Sequence, residues 1–227
     1  MQAIAAENNL AETAFFVPVE AGFGIRWFTP TKEVDLCGHA TLASAHVLFD
    51  ILGFQGEKID FGSKSGPLSV SRDSDWLVLD FPAQPPVTCD TPPEIVEAFG
   101  VTPVECLKNV DYVAIFDESA SIGSMSPKLE ILEHLDLRAV IISAQSQEYD
   151  FTARVFAPNF GITEDPVTGS AYTQLVPYWA QRLGKHRFQA RQESPRGGDV
   201  RCELAGDRVL ISGKAVKYLE GMIEVEI

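Results

Sequence analysis

The 227-residue sequence has little of several features that mark common protein classes. Its 4 cysteines form no CxxC pair, which argues against a zinc module. No apolar run approaches the ~18 residues that span a bilayer, so we expect no membrane partner. Lys and Arg number 18 against 32 Asp and Glu. The resulting net charge of −14 repels phosphate backbones and argues against nucleic acid as a partner.

The sequence also lacks a recognisable phosphate-binding or targeting motif. The glycines of PRGGDV are not followed by Gly-Lys-Ser/Thr, as a phosphate loop would require. Residues 1–10 carry Glu7 and no apolar stretch, unlike a secretory signal peptide. Scattered free thiols favour a reducing, cytoplasmic location. What the chain does have is 45% apolar residues, enough to fill the core of one large domain or two small ones.

The chain repeats one pattern of strand, turn and helix. RWFTP at 26–30 is echoed by RVFAP at 154–158. At nearly the same offset, GHA at 38–40 is echoed by GSA at 169–171. Each turn then enters an apolar segment that ends in Leu-Gly. Repeats of this kind indicate duplicated structural units.

A predicted hairpin follows the same pattern in both parts of the chain. Apolar residues alternate around a central Asp-containing turn in segments 65–81 and 198–213. We therefore expect two similar halves, about 1–100 and 101–227, with the last strand crossing back. The segments ATLASAHVLFDIL and AYTQLVPYWAQRL are apolar on nearly every face, so each helix should lie inside its sheet. The predicted fold is α+β, with two pseudo-symmetric halves, each a mainly antiparallel, barrel-like sheet around a central helix.

Each repeat brings small residues to the N-terminus of its helix. Gly38 and Gly169 allow the backbone to approach a ligand closely. Unpaired N–H groups and the helix dipole favour an anion there. Acids lie just upstream, at Asp35 in the first copy and at Glu164 and Asp165 in the second. If the halves meet about a pseudo-twofold axis, the two helix N-termini face one cleft and can hold a small carboxylate; otherwise these are tight turns that serve packing alone.

At these residues the chain resembles the phenazine-biosynthesis PhzF-like isomerase family, which has a diaminopimelate epimerase-like fold. The resemblance runs through nearly the whole chain, in AAENNLAETAFF, RWFTPTKEVDLCGHATLASAH, RVFAPNFGITEDPVTGSA, PYWAQRLGK, QESPRGGDV and SGKAV. It implies two pseudo-symmetric halves with the active site between them, and a homodimer. Members of the family begin earlier, with a strand and a Gly-Asn-Pro loop, so the resemblance implies that this chain lacks an N-terminal segment.

The resemblance also implies an activity and a set of site residues. It implies a cofactor-independent isomerase that moves a proton on a small carboxylic (amino) acid, as in the 1,5-proton shift on a hydroxylated cyclohexadiene amino acid. The acid/base would be Glu12, in NLAET. Such a base needs a pKa near the working pH, and enclosing a carboxylate in a cleft moves it in that direction. No metal or other cofactor is expected. The implied substrate-binding residues are Gly38, His39, Asp165, Gly169 and Ser170.

Two other hypotheses follow from the same residues. Epimerases of this fold use two thiols, one at each helix N-terminus, and Cys37 fits the first position. Its counterpart is Thr168 by constant offset or Pro166 by turn length, and neither is a thiol. We therefore interpret Cys37 as a small buried packing residue and disfavour a thiol epimerase. The remaining alternative is a non-catalytic protein that binds a small ligand on the same scaffold.

Overall fold

The computed structural model describes residues 1–117 and 121–224. The α-helices in these ranges are α1 (Gln2–Asn8), α2 (Gly38–His46), α3 (Pro93–Phe99), α4 (Leu129–Leu132) and α5 (Gly169–Leu183). A π-helical turn, Val47–Ile51, extends α2, and 3₁₀ turns occupy Ile122–Ser124 and Pro158–Phe160. None of the described helices is long and apolar enough to cross a membrane.

Strands make up most of the regular structure. They are β1 (Thr13–Val19), β2 (Gly22–Phe28), β3 (Glu33–Val34), β4 (Lys58–Ser63), β5 (Gly66–Asp73), β6 (Trp76–Pro82), β7 (Val87–Thr88), β8 (Glu105–Lys108), β9 (Tyr112–Phe116), β10 (Val140–Gln145), β11 (Phe151–Ala157), β12 (Ile162–Asp165), β13 (Arg187–Gln192), β14 (Gly198–Ala205) and β15 (Arg208–Gly213). All are hydrogen-bonded into one sheet in the order β1-β2-β4-β5-β6-β15-β14-β13-β11-β10-β9-β8-β7, with β3 beside β2 and β12 beside β11. Most neighbours are antiparallel; β2/β4, β9/β10 and β11/β13 are parallel. The α+β, mainly antiparallel prediction is confirmed.

The two predicted hairpins are present and lie side by side. Strands β5 and β6 pair around a tight turn in which Ser74 adopts φ 56. Strands β14 and β15 pair around the corresponding turn, where Gly206 adopts φ 65. Strand β15 then pairs with β6, from Arg208 opposite Pro82 to Gly213 opposite Leu77. One hairpin from each part of the chain thus connects the two parts into a single sheet.

Both long helices are buried, as their sequences predict. In α5 the buried residues lie on all sides of the axis, and Trp179 stacks on Phe151 of β11 with ring centroids 5.5 Å apart. Helix α2 buries its first turns in the same core, which also contains Phe81 and Leu79 of β6. A helix that is apolar all round is stable in this position because the sheet covers it on several sides.

The segment just before residue 100 packs with the second half. Strand β7 pairs with β8, and α3 contributes Ile95 and Ala98 to a core cluster that contains Ile142 of β10. The division at residue 100 stays a prediction, and this packing favours a boundary near residue 85. Residues 118–120 and 225–227 of the predicted second half lie outside the described residues.

Candidate active site

The N-termini of α2 and α5 meet at two glycines. A Cβ atom added to Gly38 would lie 3.1 Å from Cα of Gly169, and one added to Gly169 would lie 3.2 Å from Cα of Gly38. Contacts this short are tighter than nearly all real Cβ contacts, so a side chain at either position would require the facing backbone to shift by a few tenths of an ångström. The residues that directly precede the two helices are Cys37 and Thr168, which makes Thr168 rather than Pro166 the counterpart of Cys37.

Glu12 reaches this junction from the turn between α1 and β1. Asn9 ends α1 in the left-handed conformation, φ 47, and turns the chain so that Glu12 directly precedes β1. The Glu12 side chain is 11% exposed, and its Oε2 lies 3.0 Å from Nε2 of His39. The two groups are close enough for an ion pair. Within the described residues this buried Oε2 has no hydrogen-bond partner.

His39 lies at the centre of the charged groups in the site. The Cys37 Sγ is 3.9 Å from Nδ1 and 3.8 Å from Nε2 of its ring. Burial by itself lowers the pKa of His39, but the neighbouring Cys37, Glu12 and Asp165 outweigh it and hold that pKa well above its ordinary value. These neighbours favour the protonated form of the imidazole, which then acts as a cation beside the carboxyl groups of the site.

Asp165, at the end of β12, is the second carboxyl group of the site. Its Oδ2 accepts a hydrogen bond of 2.7 Å from Oγ1 of Thr168. Its Oδ1 is buried and has no hydrogen-bond partner among the described residues. Burial raises the pKa of Asp165, and the Glu12 charge adds to this, while His39 and the Thr168 hydroxyl oppose it. A buried carboxyl oxygen without a partner is a feature that a bound ligand can satisfy.

A buried ion pair supports Ser170 in the first turn of α5. The Arg138 guanidinium donates from Nη2 to Oγ of Ser170 at 3.1 Å and binds Asp111 at 2.8 Å and 2.6 Å. Asp111 is fully buried and also accepts a 2.7 Å hydrogen bond from Nε2 of Gln174. These contacts fix the guanidinium, and both Arg138 and Ser170 line the cleft, where each can donate hydrogen bonds to a ligand.

Gln192, at the end of β13, holds the chain between β12 and α5. Its Nε2 donates to the carbonyl oxygen of Asp165 at 2.7 Å and to Oγ1 of Thr168 at 3.1 Å. Its Oε1 accepts from the Thr168 N–H at 2.8 Å. The side chain is fully buried, so these bonds are shielded from water. Gln192 of β13 thus fixes the turn that carries Asp165, although the two residues are 27 positions apart in sequence.

All six residues predicted for the site line one cleft of about 400 Å³. They are Glu12, Gly38, His39, Asp165, Gly169 and Ser170. The opposite wall is partly apolar and includes Phe160, over whose ring the Lys32 Nζ lies at 3.5 Å. Arg138, Asp111, Gln174 and Gln192 have no predicted role, although QESPRGGDV, which contains Gln192, carries part of the family resemblance.

Three side chains of the site have donor atoms that could hold a metal ion. One atom each of Glu12, Cys37 and His39 lies within 4.8 Å of the others. This is the only such group found in residues 1–117 and 121–224. A catalytic zinc site also has three protein ligands, but here Glu12 and His39 already form an ion-pair contact. The expected absence of a metal stays a prediction.

Comparison with known proteins identifies the family. A sequence model described as "Phenazine biosynthesis-like protein" matches residues 1–221. An uncharacterized isomerase of Pseudomonas aeruginosa is 49% identical over 225 residues, which cover 99% of this chain and 87% of the relative. The chain belongs to the phenazine biosynthesis-like family.

Solved structures of the phenazine biosynthesis-like family have the same fold. A family protein from Enterococcus faecalis superposes with a TM-score of 0.90 at 42% identity, covering 94% of this chain and 82% of that one. A predicted epimerase from Pseudomonas aeruginosa superposes with a TM-score of 0.66 at 19% identity, covering 94% and 84%, which is a likeness of fold alone. The diaminopimelate epimerase-like fold implied by the sequence resemblance is therefore confirmed.

Proposed function

We propose that this protein is a cofactor-independent isomerase that moves a proton on a small carboxylic or amino acid, with Glu12 as the acid/base. The observation that carries the proposal is the Glu12 carboxylate, which is 11% exposed, lines the cleft and lies 3.0 Å from His39. An acid/base must reach the substrate proton directly, and a carboxylate on the wall of the cleft meets this requirement.

In the proposed reaction one proton changes its carbon atom. Glu12 takes the proton from a carbon next to an unsaturated system, the double bonds shift, and the same carboxyl returns the proton at another carbon. No electrons are gained or lost, so no redox partner is required. The protonated His39 stabilises the charge that develops on the substrate, as electrostatic preorganisation requires.

The substrate carboxylate would bind at the junction of the two helices. The N–H groups of the first turns of α2 and α5, the Ser170 hydroxyl and the Arg138 guanidinium offer hydrogen-bond donors there. Asp165, with its unpartnered Oδ1, would bind a hydroxyl or ammonium group of the same molecule. Gly38 and Gly169 allow the backbone donors to come this close together.

Isotope exchange tests the proposed activity. The protein is incubated in deuterated water with a panel of small unsaturated carboxylic and amino acids, and incorporation of deuterium at carbon is followed by NMR. We expect exchange or isomerisation of at least one acid, lowered by roughly 10²- to 10⁴-fold in Glu12→Gln. The matched control is Glu7→Gln, an exposed residue in α1, which should leave the rate unchanged.

Two results would contradict the proposal. An acid that binds, shown by NMR shift changes of the protein, yet exchanges no proton would favour the alternative of a non-catalytic ligand-binding protein. Exchange that persists in Glu12→Gln would assign the acid/base to another group.

We also propose that the protein is a cytoplasmic homodimer, as the family resemblance implies. Light scattering coupled to size-exclusion chromatography measures the mass in solution. A mass near twice the 24.9 kDa of one chain is expected, and a mass of one chain would refute the dimer.

A further inference from the structure

A pair of cysteines outside the cleft face each other across two neighbouring strands. Cys89 directly follows β7, and Cys106 lies in β8. The Cys89 N–H donates to the carbonyl oxygen of Cys106 at 3.0 Å, which continues the β7–β8 ladder by one residue. The two Sγ atoms are 3.8 Å apart. The proposed isomerase chemistry uses neither thiol.

The backbone geometry of this pair suits a disulfide. Directly opposed residues of an antiparallel pair have Cα atoms about 4.5 to 5.5 Å apart, which is inside the range of about 4.4 to 6.8 Å found for disulfides. The sulfurs would have to approach from 3.8 Å to about 2.05 Å. Strand β7 is the last strand at its end of the sheet and spans Val87–Thr88 alone, so a shift of Cys89 breaks no pairing with a second strand.

The two thiols differ in their surroundings. Cys106 is buried, and burial, followed by the neighbouring Cys89, raises its pKa to about 12. Cys89 is half-buried at the sheet edge and is therefore the thiol that an oxidant from solution can reach. Such an arrangement has one accessible thiol and one resolving thiol within reach of it.

We propose that Cys89 and Cys106 form a reversible disulfide when the protein meets hydrogen peroxide. The Cys89 sulfur attacks one peroxide oxygen, the O–O bond breaks, and water leaves behind a sulfenic acid. The Cys106 sulfur then attacks the Cys89 sulfur, the S–O bond breaks, and a second water leaves with the Cys106 proton. Two thiols are oxidised and one peroxide is reduced to two waters.

The bond would close the loop that contains α3. This loop begins shortly after Gln84, which lines the cleft and whose N–H donates to the carbonyl oxygen of Thr173 in α5 at 2.9 Å. A cross-link at Cys89 would therefore fix the chain between the cleft wall and α3. We expect the oxidised protein to unfold at a higher temperature and to exchange the amides of residues 90–105 more slowly, because a closed loop has less freedom when unfolded or open.

Peptide mapping under non-reducing conditions tests the proposal. The full chain is reduced, desalted, treated with hydrogen peroxide at near-stoichiometric dose, alkylated in denaturant and digested. We expect one cross-linked peptide that joins Cys89 to Cys106 and disappears after dithiothreitol, with Cys37 and Cys202 recovered as alkylated thiols. Cys202→Ser, a buried site elsewhere, should leave the cross-link unchanged.

Single variants separate the proposed steps. In Cys106→Ser the sulfenic acid at Cys89 has no resolving thiol and should be trapped by dimedone, whereas in Cys89→Ser the thiol at Cys106 should stay reduced. Absence of the 89–106 peptide in the natural sequence would overturn the proposal without any variant having to fold. A cross-link from Cys89 to Cys37 or Cys202 would also overturn it.

Discussion

At Asp165 and His39, charges that suit a binding site are held in surroundings that disfavour the folded state. Asp165 is buried with one oxygen unpartnered in the described structure, and its raised pKa means that ionisation in the folded state is unfavourable. The nearby cation, His39, has its own pKa raised in part by the same carboxylates. An arrangement that weakens the fold yet keeps opposite charges around a cleft is expected of a functional site.

Replacement of Asp165 by asparagine should stabilise the fold and weaken the function. The folded-state pKa of Asp165 lies above the unfolded value, so the folded state holds its proton longer. As the pH rises from the unfolded-state pKa of Asp165 to its folded-state pKa, the unmodified protein loses stability, and the variant does not. The advantage of Asp165→Asn in free energy of unfolding should thus grow with pH above about 4 and level off above the folded pKa. Urea unfolding across pH values measures it.

The same variant should lower kcat/KM by roughly 10- to 100-fold, the equivalent of one charged hydrogen bond of ~1.5–3 kcal/mol. Removal of this charge should also lower the pKa of His39, which NMR of the imidazole protons can follow. A variant that is less stable than the natural protein at neutral pH would contradict the inference that Asp165 carries an unfavourable buried charge.

Single residues were predictable from sequence only where a motif marked them. Glu12, His39 and Ser170 belong to stretches that resemble the family, and the cleft contains all of them. Arg138 and Gln192 act on the site through contacts with residues 24 or more positions away in sequence, which no local pattern reveals. Cys37 is buried, as its packing interpretation requires, but it also contacts His39, because the helix start brings residues 37 and 39 together.

At the scale of elements, local patterns predicted the helices and hairpins well. Alternation around a turn and an apolar segment after a glycine depend on neighbours in sequence, so both hairpins and both long helices occur where expected. The sequence predicts that the last strand crosses back, but the register of β15 on β6 depends on residues distant in sequence and has no local signal. The contact between the starts of α2 and α5 followed from the repeat together with an assumed twofold relation.

Gly38→Ala tests the importance of that helix contact. The new methyl group would lie 3.1 Å from Cα of Gly169, a backbone atom that cannot rotate away, and 3.4 Å from Cε2 of Phe81. We expect a loss of roughly 1–3 kcal/mol in free energy of unfolding from overpacking, with an additional fall in activity because the helix starts are pushed apart. The shift of the urea midpoint, with an m value that stays the same, measures this loss of stability.

Gly62→Ala is the matched control for this variant. Gly62 lies in β4, its φ is compatible with other residues, and an added Cβ would meet nothing within 4 Å. Its stability should change by no more than about 0.5 kcal/mol. If both alanine variants behaved alike, the close approach of the two helices would not be a constraint on the fold.

At the scale of the whole molecule, charge opposes the proposed substrate. The chain carries −14 overall, and the four acids that line the cleft, Glu12, Glu33, Asp35 and Asp165, outnumber the basic Lys32 and Arg138 there. The Arg138 charge is neutralised by Asp111, so Arg138 offers directed hydrogen bonds more than net positive potential. A small carboxylate therefore approaches against the long-range field and is bound by short-range donors.

Salt should accordingly speed the reaction of an anionic substrate. Raising ionic strength from about 0.01 to 0.15 M shortens the Debye length from about 30 to 8 Å and screens the distant acids, while contacts inside the cleft are screened much less. We expect kcat/KM for a carboxylate that passes the exchange test to rise by up to roughly tenfold over this range. Its neutral carboxamide analogue serves as the control and should show no salt dependence. A rate that falls with salt would mean that His39 and Arg138, rather than the surrounding acids, dominate the potential that the substrate meets on approach.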